Sequence, residues 1–215
     1  MVSTPLLLMF WEPLLVVPVV LPLTLLVDML IVIPNRRTLE PRKIAPLVIA
    51  GVLGIPLGTW ILLFTSSHIL RLGIAGLVLA SATLMLLGLS VNISRERIAS
   101  AAAGFLSGLM VTSTAISGPP VALFMINQKW AKDTIRTSLG LYFLVLDSLA
   151  VVSLLIVGTL NKNTLVVSLI LGPLVIAGYL VSTKLLPYVQ QAVFIRIATL
   201  VAIGSAGVAI LTTLV

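Results

Sequence analysis

No cysteine occurs in the 215 residues, so disulfides, thiolate chemistry and cysteine-held metals are excluded. Histidine is almost as scarce. His68 stands alone, which leaves neither a metal site nor a serine–histidine dyad with an adequate partner set. Charge is the third scarcity: 9% of residues are charged, where a soluble domain carries about a quarter. What fills the chain instead is apolar, with 60% hydrophobic residues and a mean hydropathy of +1.25. Apolar stretches of roughly twenty residues recur along its length, as a bilayer core of about 30 Å requires. The expected class is an all-α integral membrane protein whose surroundings are the lipid bilayer. The net charge of +7 does not point to nucleic acid, because the basic residues are spread among short connections instead of forming one patch. The N-terminus lacks a basic region and Glu12 interrupts its apolar run, so a cleaved signal peptide is not expected.

Apolar runs bounded by charged or turn-rich breaks predict spans near Pro13 to Pro34, Ile44 to Phe64, Ile69 to Leu89, Thr137 to Gly158, Thr164 to Lys184 and Gln190 to Thr213. Between the third and fourth lies Ile98 to Asn127, too long for one ordinary span and broken at "SGPP". Two prolines remove two backbone donors there, so a continuous helix is not expected. Two half-helices, one entering and one returning, satisfy the positive-inside rule. They put Arg36, Arg37, Arg42, Lys43, Arg95, Arg97, Lys129, Lys132, Arg136 and Lys184 on one face, expected to be cytoplasmic, and leave chiefly Arg71 and Lys162 on the other.

A faint internal repeat agrees. "LLVDMLIV" (Leu25 to Val32) resembles "VLDSLAVV" (Val145 to Val152), with Asp147 following Asp28 by 119 residues. "STP" (Ser3 to Pro5) matches "SGP" (Ser117 to Pro119), and Gly58 matches Gly178, at nearly the same offset. In the expected topology the units run in opposite directions. The prediction is one transmembrane domain of two inverted repeats with broken helices, residues 1–90 and 91–215, an arrangement typical of transporters. The first unit has only Met1 and Val2 ahead of "STP", so it is expected to lack its initial half-helix.

The motif "GFLSGLMVTSTAISGPPVALFMINQ" resembles the second-half motif of the sulfite exporter TauE/SafE family, and "STPLLLMFWEPLLVVPVVLPLTLLVD" resembles its opening motif. The chain departs from that pattern at Thr112 to Ala115, where the family is often richer in glycine, and in the absent first helix. The resemblance implies transport of sulfur-containing anions, sulfite or small organosulfonates, across the cytoplasmic membrane, commonly outward.

The residues supply a physical reason for an anion. A helix starting near Pro119, capped by Ser117 or Gly118, would aim a positive end into the membrane interior, and "STP" would aim a second at the same depth. The hydroxyls of Ser117, Thr114, Ser113, Ser3 and Thr4 are candidate donors to the anion, as more distantly is Thr112. Their competing role is to bond carbonyls one turn earlier. Asp28 and Asp147 are costly inside spans and mark an ion pathway or a buried partner. A carboxyl that is neutral when an anion binds and ionised otherwise would couple anion movement to proton movement; the competing role is a structural hydrogen bond. Arg71 and Arg196 open corresponding spans, and Lys129 and Arg136 flank the break. All four are candidates for drawing the anion to its entrance, against snorkelling and topology as their ordinary roles.

Trp60, Trp130 and Trp11 fall near span ends, where indoles anchor at the interface. Gly51, Gly54 and Gly58 suit close helix packing. No nucleophile–base pair or metal set is visible, so neither an enzyme nor a cofactor is expected. The expected function is an alternating-access anion exporter with proton coupling. An anion channel and a non-transporting membrane scaffold remain as alternatives, and the sequence leaves a homo-oligomer open.

Overall fold

The computed structural model describes residues 7, 11–34, 41–70, 72–74, 76, 80, 83, 96–128, 130 and 132–185. Six helices organise them: α1 (Pro13–Val32), α2 (Pro41–Phe64), α3 (Glu96–Thr114), α4 (Gly118–Asn127), α5 (Lys132–Ile156) and α6 (Lys162–Leu185). Among the described residues there is no strand. Prolines open α1 and α2 and occupy the first turn of α4, where a missing N–H leaves no gap in the helical ladder. Pro13–Val32, Pro41–Phe64, Thr137–Ile156 and Lys162–Lys184 are long and apolar enough to cross a membrane. These match four of the expected spans to within a few residues. The span expected near Ile69 to Leu89 is described only in part, and that near Gln190 to Thr213 lies outside the described residues.

The packing fixes helix directions. A Cβ added at Gly104 of α3 would meet the Leu47 carbonyl of α2, one at Gly108 that of Gly51, and one at Gly58 the carbonyl of Leu109. Contacts advance together along both helices, so α2 and α3 run parallel with their backbones touching, which only glycine permits. The Thr112 hydroxyl adds a bond to the Ile55 carbonyl at 3.1 Å. α5 lies parallel to α2 as well, with Thr59 and Ser153 hydroxyls 2.9 Å apart and the Tyr142 hydroxyl donating to the Gly104 carbonyl of α3 at 3.3 Å.

α1 and α5 are antiparallel, Gly140 packing on Ile31 and Val32 while Asp147 lies beside Asp28. α6 runs parallel to α1: Ser168 donates to the Val19 carbonyl and Tyr179 to the Leu30 carbonyl, each at 3.0 Å. The pair α1–α2 therefore runs opposite to the pair α5–α6. These directions gather Arg42, Lys43, Arg97 and Lys184 at one end of the bundle and leave Lys162 at the other, the asymmetry expected from the loops.

Val17, Leu47, Leu62, Val121, Met125, Tyr142, Leu146 and Leu154 form a closed interior. Outward faces carry Ile49, Leu53, Trp60 and Phe64 on α2 and Leu169, Ile170 and Leu174 on α6, all exposed. Such apolar faces suit lipid, which accepts them where water would not.

The segment around "SGPP" does return, but its limbs are unequal. α3 has 19 residues, about 28 Å at 1.5 Å per residue, whereas α4 has 10. The first limb is thus nearly a full span instead of the expected half-helix, because its glycines let it lie along the whole of α2. After Thr114 the chain doubles back, and the Ser107 hydroxyl donates to the Ser117 carbonyl at 2.6 Å. α4 then descends until Phe124 and Trp130 reach Arg97 and Ser100 near the start of α3. Ser107 stands about 16 Å from the beginning of α3, so α4 starts roughly half-way across a 30 Å core.

Candidate functional site

The break is built by backbone geometry as much as by proline. Ala115 ends α3 with φ at +53°, the left-handed region that helix ends usually give to glycine. The Ile116 N–H donates to the Thr114 hydroxyl at 3.2 Å, and Ser117 then caps α4 without using its own side chain. Because Pro119 and Pro120 carry no N–H, Gly118 is left as the backbone donor of the first turn. The positive end of this helix is therefore concentrated at one N–H, beside one unspent hydroxyl.

A left-handed alanine costs about 1–2 kcal/mol. Ala115→Gly is accordingly expected to raise the thermal unfolding midpoint of the purified protein, by the equivalent of about 1 kcal/mol once the greater freedom of unfolded glycine is subtracted. Ala115→Val is expected to lower it, since branching at Cβ worsens the same clash.

Ser117, Gly118 and Pro119 open onto a cavity of about 370 Å³, small within the usual range of ligand sites. Its opposite wall carries Thr24 and Asp28 of α1 and Asp147 of α5. From the break it extends past Leu123 and Phe143 to Ile126 and Leu139, towards the end of the bundle that holds Arg42, Lys43 and Arg97. Asp28 and Asp147 are buried, at 8% and 4% exposure, yet Oδ2 of Asp28 and Oδ1 of Asp147 have no hydrogen-bond partner. The two carboxyls touch each other, and the Thr24 hydroxyl lies against Asp147 while also donating to the Leu21 carbonyl at 2.9 Å. Unspent acceptors in an apolar cavity are expensive unless something arrives to satisfy them.

A helix broken at mid-depth, a glycine–proline start and a carboxyl pair thus share one cavity, and the wider sequence says to which family the chain belongs. A family model for the sulfite exporter TauE/SafE proteins matches residues 1–210. The chain belongs to that family. No curated protein and no solved structure gives a significant match. TauE/SafE membership makes the chain a multi-pass membrane transporter, in keeping with its apolar helices.

Within this TauE/SafE chain the cavity unites some of the candidate residues and leaves others aside. Ser117, Gly118, Pro119, Asp28 and Asp147 all line it. Ser113 and Thr114 do not: their hydroxyls donate to the Leu109 and Met110 carbonyls one turn earlier, each at 2.8 Å. Thr112 is committed to α2. Ser3, Thr4, Arg71, Arg196 and Lys129 lie outside the described residues, as does the side chain of Arg136. Thr24 was not among the candidates, although its position one turn before Asp28 places both on one helix face. Ser107 was missed too, since nothing local tells a pinning serine from a lipid-facing one.

Proposed function

We propose that the chain exports small sulfur-containing anions, sulfite or small organosulfonates, across the cytoplasmic membrane by alternating access, with proton movement coupled through Asp28 and Asp147. The observation that carries this is the sharing of one cavity by the α4 start and the carboxyl pair. An anion held by Gly118 N–H and the Ser117 hydroxyl sits opposite two acids. Two ionised carboxylates in a medium of low dielectric repel both each other and the incoming anion. In a pair that already shares one proton, a second proton removes the remaining charge, so anion and proton enter together. Leu123, Ile126, Leu139 and Phe143 offer an apolar wall for the short tail of an organosulfonate.

Extension of the cavity towards the basic end supports loading from the cytoplasmic face. The opposite directions of α1–α2 and α5–α6 support two inverted repeats, residues 1–90 and 91–215, that rock against each other. Thr24 and Asp28 also line a second cavity of about 230 Å³, bounded by Leu7 and Val175.

The test is flux in proteoliposomes with sulfite, a small alkanesulfonate, sulfate and chloride. Saturable flux that favours the sulfur(IV) and sulfonate anions supports the carrier; unsaturable flux of all four would make the protein a channel. Ser117→Ala is expected to raise KM for the sulfonate about tenfold, the loss of one hydrogen bond to a charged group, with little change in the amount of folded protein.

A further inference from the structure

A further cavity, of about 340 Å³, lies where α2 and α3 begin. Among the described residues, Arg42, Lys43 and Arg97 line it, against one carboxylate, that of Glu96, while Phe124 and Trp130 form an aromatic wall. Trp130 meets Phe124 edge-on at 6.5 Å, and the Lys43 ammonium lies over the Trp130 ring, 5.8 Å from its centroid. The three cations occupy the first turns of two parallel helices. That is the wrong end for them: helix starts are already positive and favour anions, so each cation is opposed by its own helix. Charge concentrated in this way attracts an anion from the surroundings. The cavity has no part in the central site, whose wall is formed by the opposite face of α4 with α1 and α5.

We infer that this cavity binds the phosphate group of an anionic phospholipid at the membrane surface. Its depth fits: Arg42 stands at the start of a long apolar helix, Arg97 at the start of α3 beside it, and an indole near them is the usual companion of the headgroup layer. Its charge fits, because basic residues next to an anionic leaflet attract its headgroups. The guanidinium groups of Arg42 and Arg97 offer paired N–H donors to phosphate oxygens. The half-buried Trp130 ring, backed by the buried Phe124, gives the glycerol and first methylenes of the lipid an aromatic edge to lie on. The inference stands whatever the central cavity carries.

The test uses the full chain in a neutral detergent, titrated with phosphatidylglycerol, phosphatidylcholine or inorganic phosphate while the thermal unfolding midpoint is followed. Phosphatidylglycerol is expected to raise the midpoint saturably and phosphatidylcholine to leave it unchanged. Arg42→Gln and Arg97→Gln should each raise the half-saturating lipid concentration about fivefold. Their midpoints without lipid should hold or rise, because each removes a cation from a helix start, and this separates a binding defect from misfolding. Glu96→Gln should move half-saturation the other way. An equal response to inorganic phosphate would assign the cavity to soluble phosphate compounds and overturn the lipid as ligand. Equal responses to the two lipids, or an unaltered phosphatidylglycerol response in the Arg42→Gln/Arg97→Gln protein, would overturn the site itself.

Discussion

Asp147→Asn is expected to leave the bundle folded and to abolish the response of alkanesulfonate flux to a pH gradient. Asparagine keeps the shape of the carboxyl and its reach to Thr24 and Asp28, so the cavity wall survives. What it removes is the ability to alternate between charged and neutral forms. In the wild type an anion entering beside a singly ionised pair meets repulsion of about 4 kcal/mol at 4 Å for an effective dielectric of 20. A carrier that must collect one proton to enter therefore responds to the proton gradient, up to about tenfold in driving force per pH unit. The variant has lost one of the two groups that share this proton and should show a flat dependence. Asp28→Asn removes the other half of the pair and should flatten it likewise. Initial rates of labelled alkanesulfonate uptake at several imposed gradients measure this directly. Rates in both variants that follow the gradient as steeply as wild type would exclude the pair from coupling.

Gly108→Leu should prevent folding outright. The Cβ alone would run into the carbonyl oxygen of Gly51, which belongs to a helix backbone and cannot swing aside as a side chain does. Gly54→Leu is expected to fail in the same way, against the Phe105 carbonyl. Even Gly108→Ala must part α2 from α3, at a cost of about 1–3 kcal/mol or more. Gly178 provides the contrast, since an added Cβ there meets nothing within 4 Å. Gly178→Ala should be neutral or slightly stabilising, because alanine is the better helix former. Size-exclusion profiles and thermal midpoints of the variants in detergent test the whole series. A monodisperse Gly108→Leu protein with a wild-type midpoint would mean that α2 and α3 do not touch as described.

Seen against these contacts, the sequence was most legible where the bilayer itself is the constraint. Span lengths, the charge asymmetry of the loops and the helix break at "SGPP" all follow from what hydrocarbon tolerates, and four spans and the returning hairpin occur where expected. The glycines at 51, 54 and 58 were readable as a packing face, although their partners at 104 and 108 were known only as a motif. Asp28 and Asp147 could be paired by their common offset, but their contact required the antiparallel placement of α1 and α5, a tertiary fact. Backbone detail was the least legible. Nothing about Ala115 announces a left-handed residue; the departure from glycine at this stretch was visible, and its meaning as strain was not. The hydroxyls of Ser113 and Thr114 had two options in the sequence, and in a helix already short of water the nearby carbonyl takes them. The prolines after Gly118 were plain to see, and their effect on the start of α4 is simple subtraction: they leave one first-turn donor.

The central claim, that one cavity moves a sulfur-containing anion and a proton together, is tested most directly by lumenal pH in proteoliposomes of the wild-type protein. An alkanesulfonate is the right probe because it stays ionised and cannot carry a proton by itself. With no pH difference imposed at the start and the membrane potential clamped, an alkanesulfonate gradient should drive a saturable pH change in the lumen, in the direction of sulfonate movement, that is lost in Asp147→Asn. Sulfonate entering at the same rate with no change in lumenal pH would contradict the account.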